Sequence, residues 1–155
     1  MLKNITLLQS IEIRASAEKV FDYISNLSND PLWRPEVTKM DVQGELRSGT
    51  VIIEYITIYK FFHIVTPTVV KVLDRPNKFV VETPPGHPTW VECIRTVSNT
   101  APGDSIFTVQ LSFSLNNLKQ IFPIIPPALF VNMWYKPRMR GYMNNLKKIL
   151  ESTLK

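Results

Sequence analysis

Six polar side chains in this sequence have the types that proton transfer and charge stabilisation require: Glu54, Tyr55, Tyr59, His63, Glu92 and Arg95. Each is set among apolar neighbours in a stretch that reads as β-strand. A buried carboxylate or imidazole can remove a proton alpha to a carbonyl, and a tyrosine hydroxyl or guanidinium beside it can steady the enolate. No spacing joins the six into a motif, and each strand position faces solvent as readily as core. The two tyrosines suit an apolar wall best, because the ring packs while the hydroxyl stays available. With two histidines, His63 and His87, and one cysteine, neither a nucleophile–base pair nor a zinc site finds a set of partners. Cys93 reads as a small buried hydrophobe. No glycine-rich loop cradles a phosphate. No metal and no cofactor are expected.

The elements that must position these residues are mostly strands around one helix. From Pro127 to Leu154, Met139, Tyr142, Leu146, Ile149 and Leu150 fall on one stripe at helical period, with Arg138, Asn145, Lys147 and Lys148 largely off it. Pro126 and Pro127 suit a first turn, and Lys147 and Lys148 complement the negative end of the helix. At roughly 1.5 Å per residue the helix spans about 40 Å, the width of a small domain. Pro137 and Gly141 fall inside it and predict a bend.

Ahead of it, Ile5 to Arg14 alternates as a half-buried strand, with Gln9 as the misfit. Ser16 is placed as an N-cap before Glu18, Val20, Phe21, Ile24 and Leu27, a short helix ending near Asn26. Asn29 or Asp30 starts a second, stopped by Pro35, with Leu32 and Trp33 as its packing residues. Strands are expected over Val37 to Glu45, Thr50 to Tyr59, Phe61 to Leu73, Lys78 to Thr83 and Trp90 to Ser98, then from Ile106 to Leu115. The second of these is apolar on both faces and should be covered twice; Pro67 demotes part of the third to an edge or bulge. Turns fall at Asp74 to Asn77 and Asn99 to Asp104, and Thr83 to Pro88 is a stiff proline-rich loop. Phe107, Val109, Leu111, Phe113 and Leu115 present one apolar face that should meet the last helix.

This order resembles the helix-grip fold of the START-like superfamily (SRPBCC, Bet v 1-like). In particular, the segment Ile11-Glu12-Ile13-Arg14-Ala15-Ser16 through Ile24 resembles the opening of its polyketide cyclase/dehydrase branch. Asp30-Pro31-Leu32-Trp33-Arg34-Pro35 is similar to its tryptophan signature, Val72 to Phe79 to its central hairpin, and Asn144 to Glu151 to its helix end. The resemblance implies a single α+β domain over residues 1–155, a curved antiparallel sheet wrapped around a long C-terminal helix, with a ligand space between them. It implies fold more strongly than chemistry. Trp33, Tyr55, Tyr59, His63, Trp90, Glu92, Phe113, Phe130, Trp134, Met139 and Tyr142 are the residues expected to line that space, which in such pockets is mostly apolar.

One stretch departs from the pattern. Between Leu118 and Tyr135 stand Ile121, Phe122, Ile124, Ile125, Leu129, Phe130, Val131, Met133 and Trp134, where relatives have a shorter, more polar link. Together with Phe61-Phe62 this run reads either as self-packed or as a rim through which a lipid-like molecule enters, touching a membrane in passing or a second copy in a homodimer.

Composition sets the outer limits. With 45% apolar and 20% charged residues the chain is an ordinary globule. The N-terminus lacks the apolar run of a secretory signal and no apolar stretch reaches about 18 residues, so a cytoplasmic location is expected. The net charge of +5 is dispersed rather than striped, and no nucleic-acid partner is expected. The first functional expectation is non-catalytic binding or carriage of a hydrophobic small molecule, lipid or polyketide-like. The second is a polyketide cyclase or dehydratase using a pocket Glu, His or Tyr; the third is an interaction module using exposed apolar loops.

Overall fold

The computed structural model describes residues 3–152, and its local signals act as their chemistry requires. Strand β1 (Asn4–Ile13) leads into helix α1 (Ala17–Ser25), whose N-cap Ser16 accepts a hydrogen bond from the Lys19 N–H at 3.3 Å while Glu18 sits in the first turn. Helix α2 (Asp30–Trp33) lasts one turn and ends before Pro35, which cannot continue it.

Six more strands follow: β2 (Val37–Val42), β3 (Val51–Ile58), β4 (Phe62–Asp74), β5 (Lys78–Glu82), β6 (Val91–Ala101) and β7 (Asp104–Ser114). Together with β1 they form one antiparallel sheet in the order β1-β7-β6-β5-β4-β3-β2. The chain closes with a 3-10 turn (Leu115–Gln120) and helix α3 (Ala128–Ser152). This is the helix-grip architecture the sequence predicts. The expected last helical residue, Leu154, lies outside the described residues.

Boundaries shift for identifiable reasons. β2 stops at Val42, short of Glu45, because Gly44 and Gly49 adopt positive φ and turn the link back. β6 runs past Ser98 to Ala101, which pairs with Asp104, so the turn narrows to Pro102-Gly103. Pro67 opposes Ile53 in β4, and β5 pairs with β4 only from Val69 onward. Among the described residues the stretch holding the proline therefore pairs with β3 alone, the edge the sequence called for, and the irregularity in the ladder comes later, between Val70 and Val72.

The expectation that β3 is covered on both faces fails. Its inner residues Ile52 and Ile58 are buried, but no layer covers the outside, where Val51 is 37% exposed. Tyr55 on that outer face carries the Lys39 ammonium 5.7 Å from its ring centre, so an apolar outer residue here is partly screened by a neighbouring side chain.

Two apolar clusters hold α3 to the sheet. One joins Phe21, Ile24, Trp33, Ile52, Phe79 and Phe107 to Tyr142, Met143, Leu146 and Leu150 of the helix's second half. The other joins Ile5, Leu7, Phe113, Leu115 and Leu118 to Val131 and Met139 of its first half. Full burial of a side chain such as Phe107 or Leu146 contributes about 1.5–3 kcal/mol, so the β7 face meets the helix as its alternation predicts. Between the two clusters the packing is incomplete, and there the cavity opens.

Candidate functional site

The cavity follows from strand alternation. On β3 the even-numbered residues Ile52, Glu54, Ile56 and Ile58 point inward; the matching faces of β4, β5, β6 and β7 add Ile64, Thr66, Phe79, Val81, Val91, Cys93, Arg95, Leu111 and Phe113. Leu118 and Ile121 close one side and Trp134 and Tyr135 of α3 form the roof. Its volume is about 150 Å³. A cavity of that size has room for a single six-membered ring. A smaller lobe of about 40 Å³ lies between Trp33, Met139 and Tyr142, and shares Arg34, Cys93 and Tyr135 with the main space.

One ionic group stands in this apolar wall. Asp30, fully buried, accepts from Arg95 Nη2 at 2.5 Å and from Arg95 Nη1 at 3.2 Å, and from Arg34 Nη1 at 3.0 Å. Arg34 Nη1 also donates to Glu54 Oε2 at 2.7 Å, and Arg95 Nη1 to the Ile24 carbonyl at 2.8 Å. The Arg95 guanidinium lies 5.1 Å from the Trp33 ring centre. Two carboxylates and two guanidiniums thus neutralise one another below the helix. Burial alone would lower both arginines; the carboxylates of Glu54 and Asp30 reverse this and hold Arg34 well above its ordinary value, and Asp30 raises Arg95.

Burial pushes the Cys93 thiol up despite the adjacent Arg95, so it remains a thiol. The Tyr135 hydroxyl is pushed up to about 12, mainly by burial, and stays protonated near neutrality. Tyr142 is raised by burial, by neighbouring Tyr135 and by its hydrogen bond to Glu36 Oε2.

The mouth is aromatic. Trp134 Nε1 donates to the Tyr59 hydroxyl at 2.6 Å, and the Arg138 guanidinium covers both rings, 4.9 Å from the Tyr59 centre and 5.1 Å from that of Trp134. Arg138 is itself anchored on Glu36. Phe122 meets Trp134 edge-on at 5.3 Å and Phe130 at 6.0 Å. Around this cluster Phe61 is 80% exposed, Ile124 81%, Leu129 72% and Met133 71%.

Of the residues singled out in the sequence, Phe113 and Trp134 line the main cavity, and Trp33, Met139 and Tyr142 the smaller lobe. Tyr59 and Phe130 line neither space; they pack beside it, Tyr59 on Trp134 and Phe130 on Phe122. Four lie elsewhere. Tyr55 is on the outer face of β3, and His63 is bonded through Nδ1 to Thr57 Oγ1 at 3.0 Å on that same side. Glu92 pairs in register with Ser112, one residue out of phase with the inward Val91 and Phe113. Trp90 Nε1 donates to Glu82 Oε1 at 2.9 Å and ties the proline-rich loop to β5.

Sequence reasoning missed Arg34, Tyr135 and Asn117. Arg34 directly follows Trp33 and lies four residues after Asp30, a helical spacing that brings opposite charges together and was the available signal. Asn117, in a 3-10 turn, carried no pattern. Among the described residues no three His, Cys, Asp or Glu side chains are grouped to hold a metal ion, and no helix is long and apolar enough to cross a membrane.

The family model described as polyketide cyclase/dehydrase and lipid transport matches residues 4–151. The chain belongs to that family. Solved structures agree on the fold. A START superfamily protein from Mycobacterium smegmatis is 16% identical with a TM-score of 0.75, covering 96% of this chain and 98% of its own. The Zhui aromatase/cyclase from Streptomyces is 10% identical at a TM-score of 0.77, covering 99% and 97%. Norcoclaurine synthase from Thalictrum flavum, solved with dopamine and hydroxybenzaldehyde, is 15% identical at a TM-score of 0.65, covering 97% and 88%. No curated protein matches the chain significantly. At such identities the likeness establishes the helix-grip fold, and chemistry must be argued from the cavity itself.

Proposed function

We propose that this family member binds and carries a hydrophobic small molecule, lipid or polyketide-like, in the space between the sheet and α3. The observation that carries this reading is the cavity: an apolar wall over most of its surface, roofed by Trp134 and Tyr135. The ionisable groups that turnover would need are engaged or elsewhere. Glu54 is bonded to Arg34, Tyr135 keeps its proton, and His63 faces away. A cyclase or dehydratase needs an unpaired base beside its substrate, so these pairings favour binding over catalysis.

The exposed apolar mouth fits a cargo that arrives from a lipid phase. Phe61, Ile124, Leu129 and Met133 surround it, and from Leu115 to Leu150 the chain carries Lys119, Lys136, Arg138, Arg140, Lys147 and Lys148 with no Asp or Glu. Apolar side chains within a basic surface suit brief contact with an anionic membrane.

Native mass spectrometry of the protein purified from cells, followed by denaturing extraction, tests the reading. A bound lipid or aromatic molecule of defined mass is the expected result, and Glu54→Gln and His63→Ala should leave its uptake intact. Turnover of a polyketide-like compound that collapses in Glu54→Gln would overturn it.

A further inference from the structure

The ligand space has a thin wall far from the roof of α3. Leu27, in the 3-10 turn Leu27–Asn29 between α1 and α2, and Met40 of β2 line the main cavity, and the same two residues line a separate groove on the surface. That groove, of about 550 Å³, is lined further by Val42 and Leu46 from β2 and its link to β3, and by Asp22 and Ser25 from α1. Cavity and groove are therefore one layer of side chains apart.

Alternation explains the sharing. β2 is the last strand of the sheet, and Met40 pairs in register with Glu54 and Val42 with Ile52, both inward-facing, so its inner face runs on from the cavity into the groove. Only side-chain packing seals the seam. Among the described residues no hydrogen bond joins the turn Leu27–Asn29 to β2; Ser28 Oγ donates to Asn26 Oδ1 at 2.7 Å and Asn29 Nδ2 to the Tyr23 carbonyl at 3.1 Å. The first tie comes past the end of α2, where the Val37 N–H donates to the Arg34 carbonyl at 2.9 Å. Leu27 is buried, whereas Met40 is half-buried. A methionine is unbranched with three rotatable bonds, so it can swing out of such a gap without moving the backbone.

The size of the cavity gives this seam a use. At about 150 Å³ it has room for one ring or about six carbons, less than an acyl chain needs. Resting on the binding reading above, we propose that Leu27 and Met40 form a yielding partition, and that a ligand whose apolar chain exceeds about six carbons threads past Met40 into the groove. The groove suits what emerges. Val42 and Leu46 continue the apolar wall, and Arg75 is held by Asp22 Oδ1 at 3.4 Å and Ser25 Oγ at 3.2 Å, so a neutral chain meets no unpaired charge at the rim. The opposite end, by contrast, is fastened, with Trp134 bonded to Tyr59 and covered by Arg138.

The test uses the full chain with isotope-labelled methyl groups and a series of neutral probes: n-hexanol, n-octanol and n-decanol. Ile56 and Ile64 line the cavity but not the groove, and Val42 and Leu46 the groove but not the cavity, so their methyl resonances report the two spaces separately. The shortest probe should shift Ile56 and Ile64 alone. With n-decanol the Met40, Val42 and Leu46 methyls should shift as well, and affinity should rise about two- to fourfold per added methylene. In Met40→Phe, a rigid ring in place of the flexible thioether, the preference for n-decanol over n-hexanol should fall toward one. The wild-type pattern needs no variant, so a variant that fails to fold leaves the test intact. The partition is overturned if n-decanol binds no tighter than n-hexanol, if folded Met40→Phe keeps the wild-type preference, or if n-decanol shifts Ile124 and Leu129 at the aromatic mouth in place of Val42 and Leu46. In each of those cases carriage of a hydrophobic molecule stands. If no probe shifts Ile56 or Ile64, the binding reading falls as well.

Discussion

Arg95 Nη2 donates to Asp30 Oδ2 at 2.5 Å, and this bond fastens the floor of the sheet to the single turn of α2. Asp30 also serves Arg34, so one fully buried carboxylate compensates two guanidiniums. Removing it leaves those cations with Glu54 alone. Asp30→Ala should therefore cost about 3–5 kcal/mol, read as a lower urea midpoint at unchanged slope. Asp30→Asn keeps the shape but not the charge and should fall between. An unchanged midpoint in both would mean that the pairing contributes nothing net.

Tyr23 presents the converse case. Its hydroxyl is buried without a partner among the described residues, and burial, with Asp30 nearby, raises its pKa. Deleting an unsatisfied polar atom returns its desolvation penalty, so Tyr23→Phe should leave stability equal or raise it by up to about 1 kcal/mol. A clear drop in melting temperature would reveal a partner for the hydroxyl.

How much of this was readable in the sequence depends on the range of the interaction. Ser16 as a cap, Pro35 as a stop and the β7 alternation are local, and each does in the structure what its chemistry requires. The ligand space was legible as a location, through the resemblance, but its polar lining was not. Arg95 reaches Asp30 across 65 residues and Trp134 reaches Tyr59 across 75, pairings that no periodicity encodes. The misplaced candidates fail for one reason. β3 carries apolar residues on both faces and its one charge, Glu54, lies on the inner one, so alternation could not decide that Ile52 and Glu54 point inward while Tyr55 and His63 do not.

The hairpin joining β3 and β4 carries a cost. Tyr59 and Lys60 have φ of 53° and 64°, the left-handed region where a side chain is disfavoured and where Asn-Gly is the usual choice. Tyr59 is repaid by its contacts with Trp134 and Arg138, whereas Lys60 is exposed. Lys60→Gly should therefore stabilise the protein by about 1 kcal/mol, measured by urea unfolding. Tyr59→Gly should not, because it removes the ring from the mouth.

Membrane contact at the mouth makes a separable demand. Wild-type protein should co-sediment with phosphatidylglycerol vesicles more than with phosphatidylcholine vesicles, and less as salt rises. Replacing Phe61 and Met133 by serine should weaken sedimentation several-fold while leaving the melting temperature near wild type, since both side chains are already in solvent. Equal binding to the two lipids would remove the electrostatic part of the argument, and undiminished binding by the double variant would remove the apolar part.

Alkaline titration probes the roof of the cavity. Tyr135 is pushed up to about 12 from an ordinary value of 10.0, chiefly by burial. The folded state therefore holds this proton more tightly than the unfolded chain, and the sign follows by linkage. The contribution is fully present below pH 10 and is lost as pH rises through the folded value near 12, at no more than about 1.4 kcal/mol per pH unit. Tyr135→Phe cannot ionise, so the wild type should lose stability faster than the variant between pH 10 and 12, with the two curves parallel at pH 7 to 9. Ultraviolet titration of the tyrosines should show the matching loss of one late-ionising group in the variant. A wild-type curve that stays parallel to the variant's between pH 10 and 12 would mean that Tyr135 is not the late-ionising group.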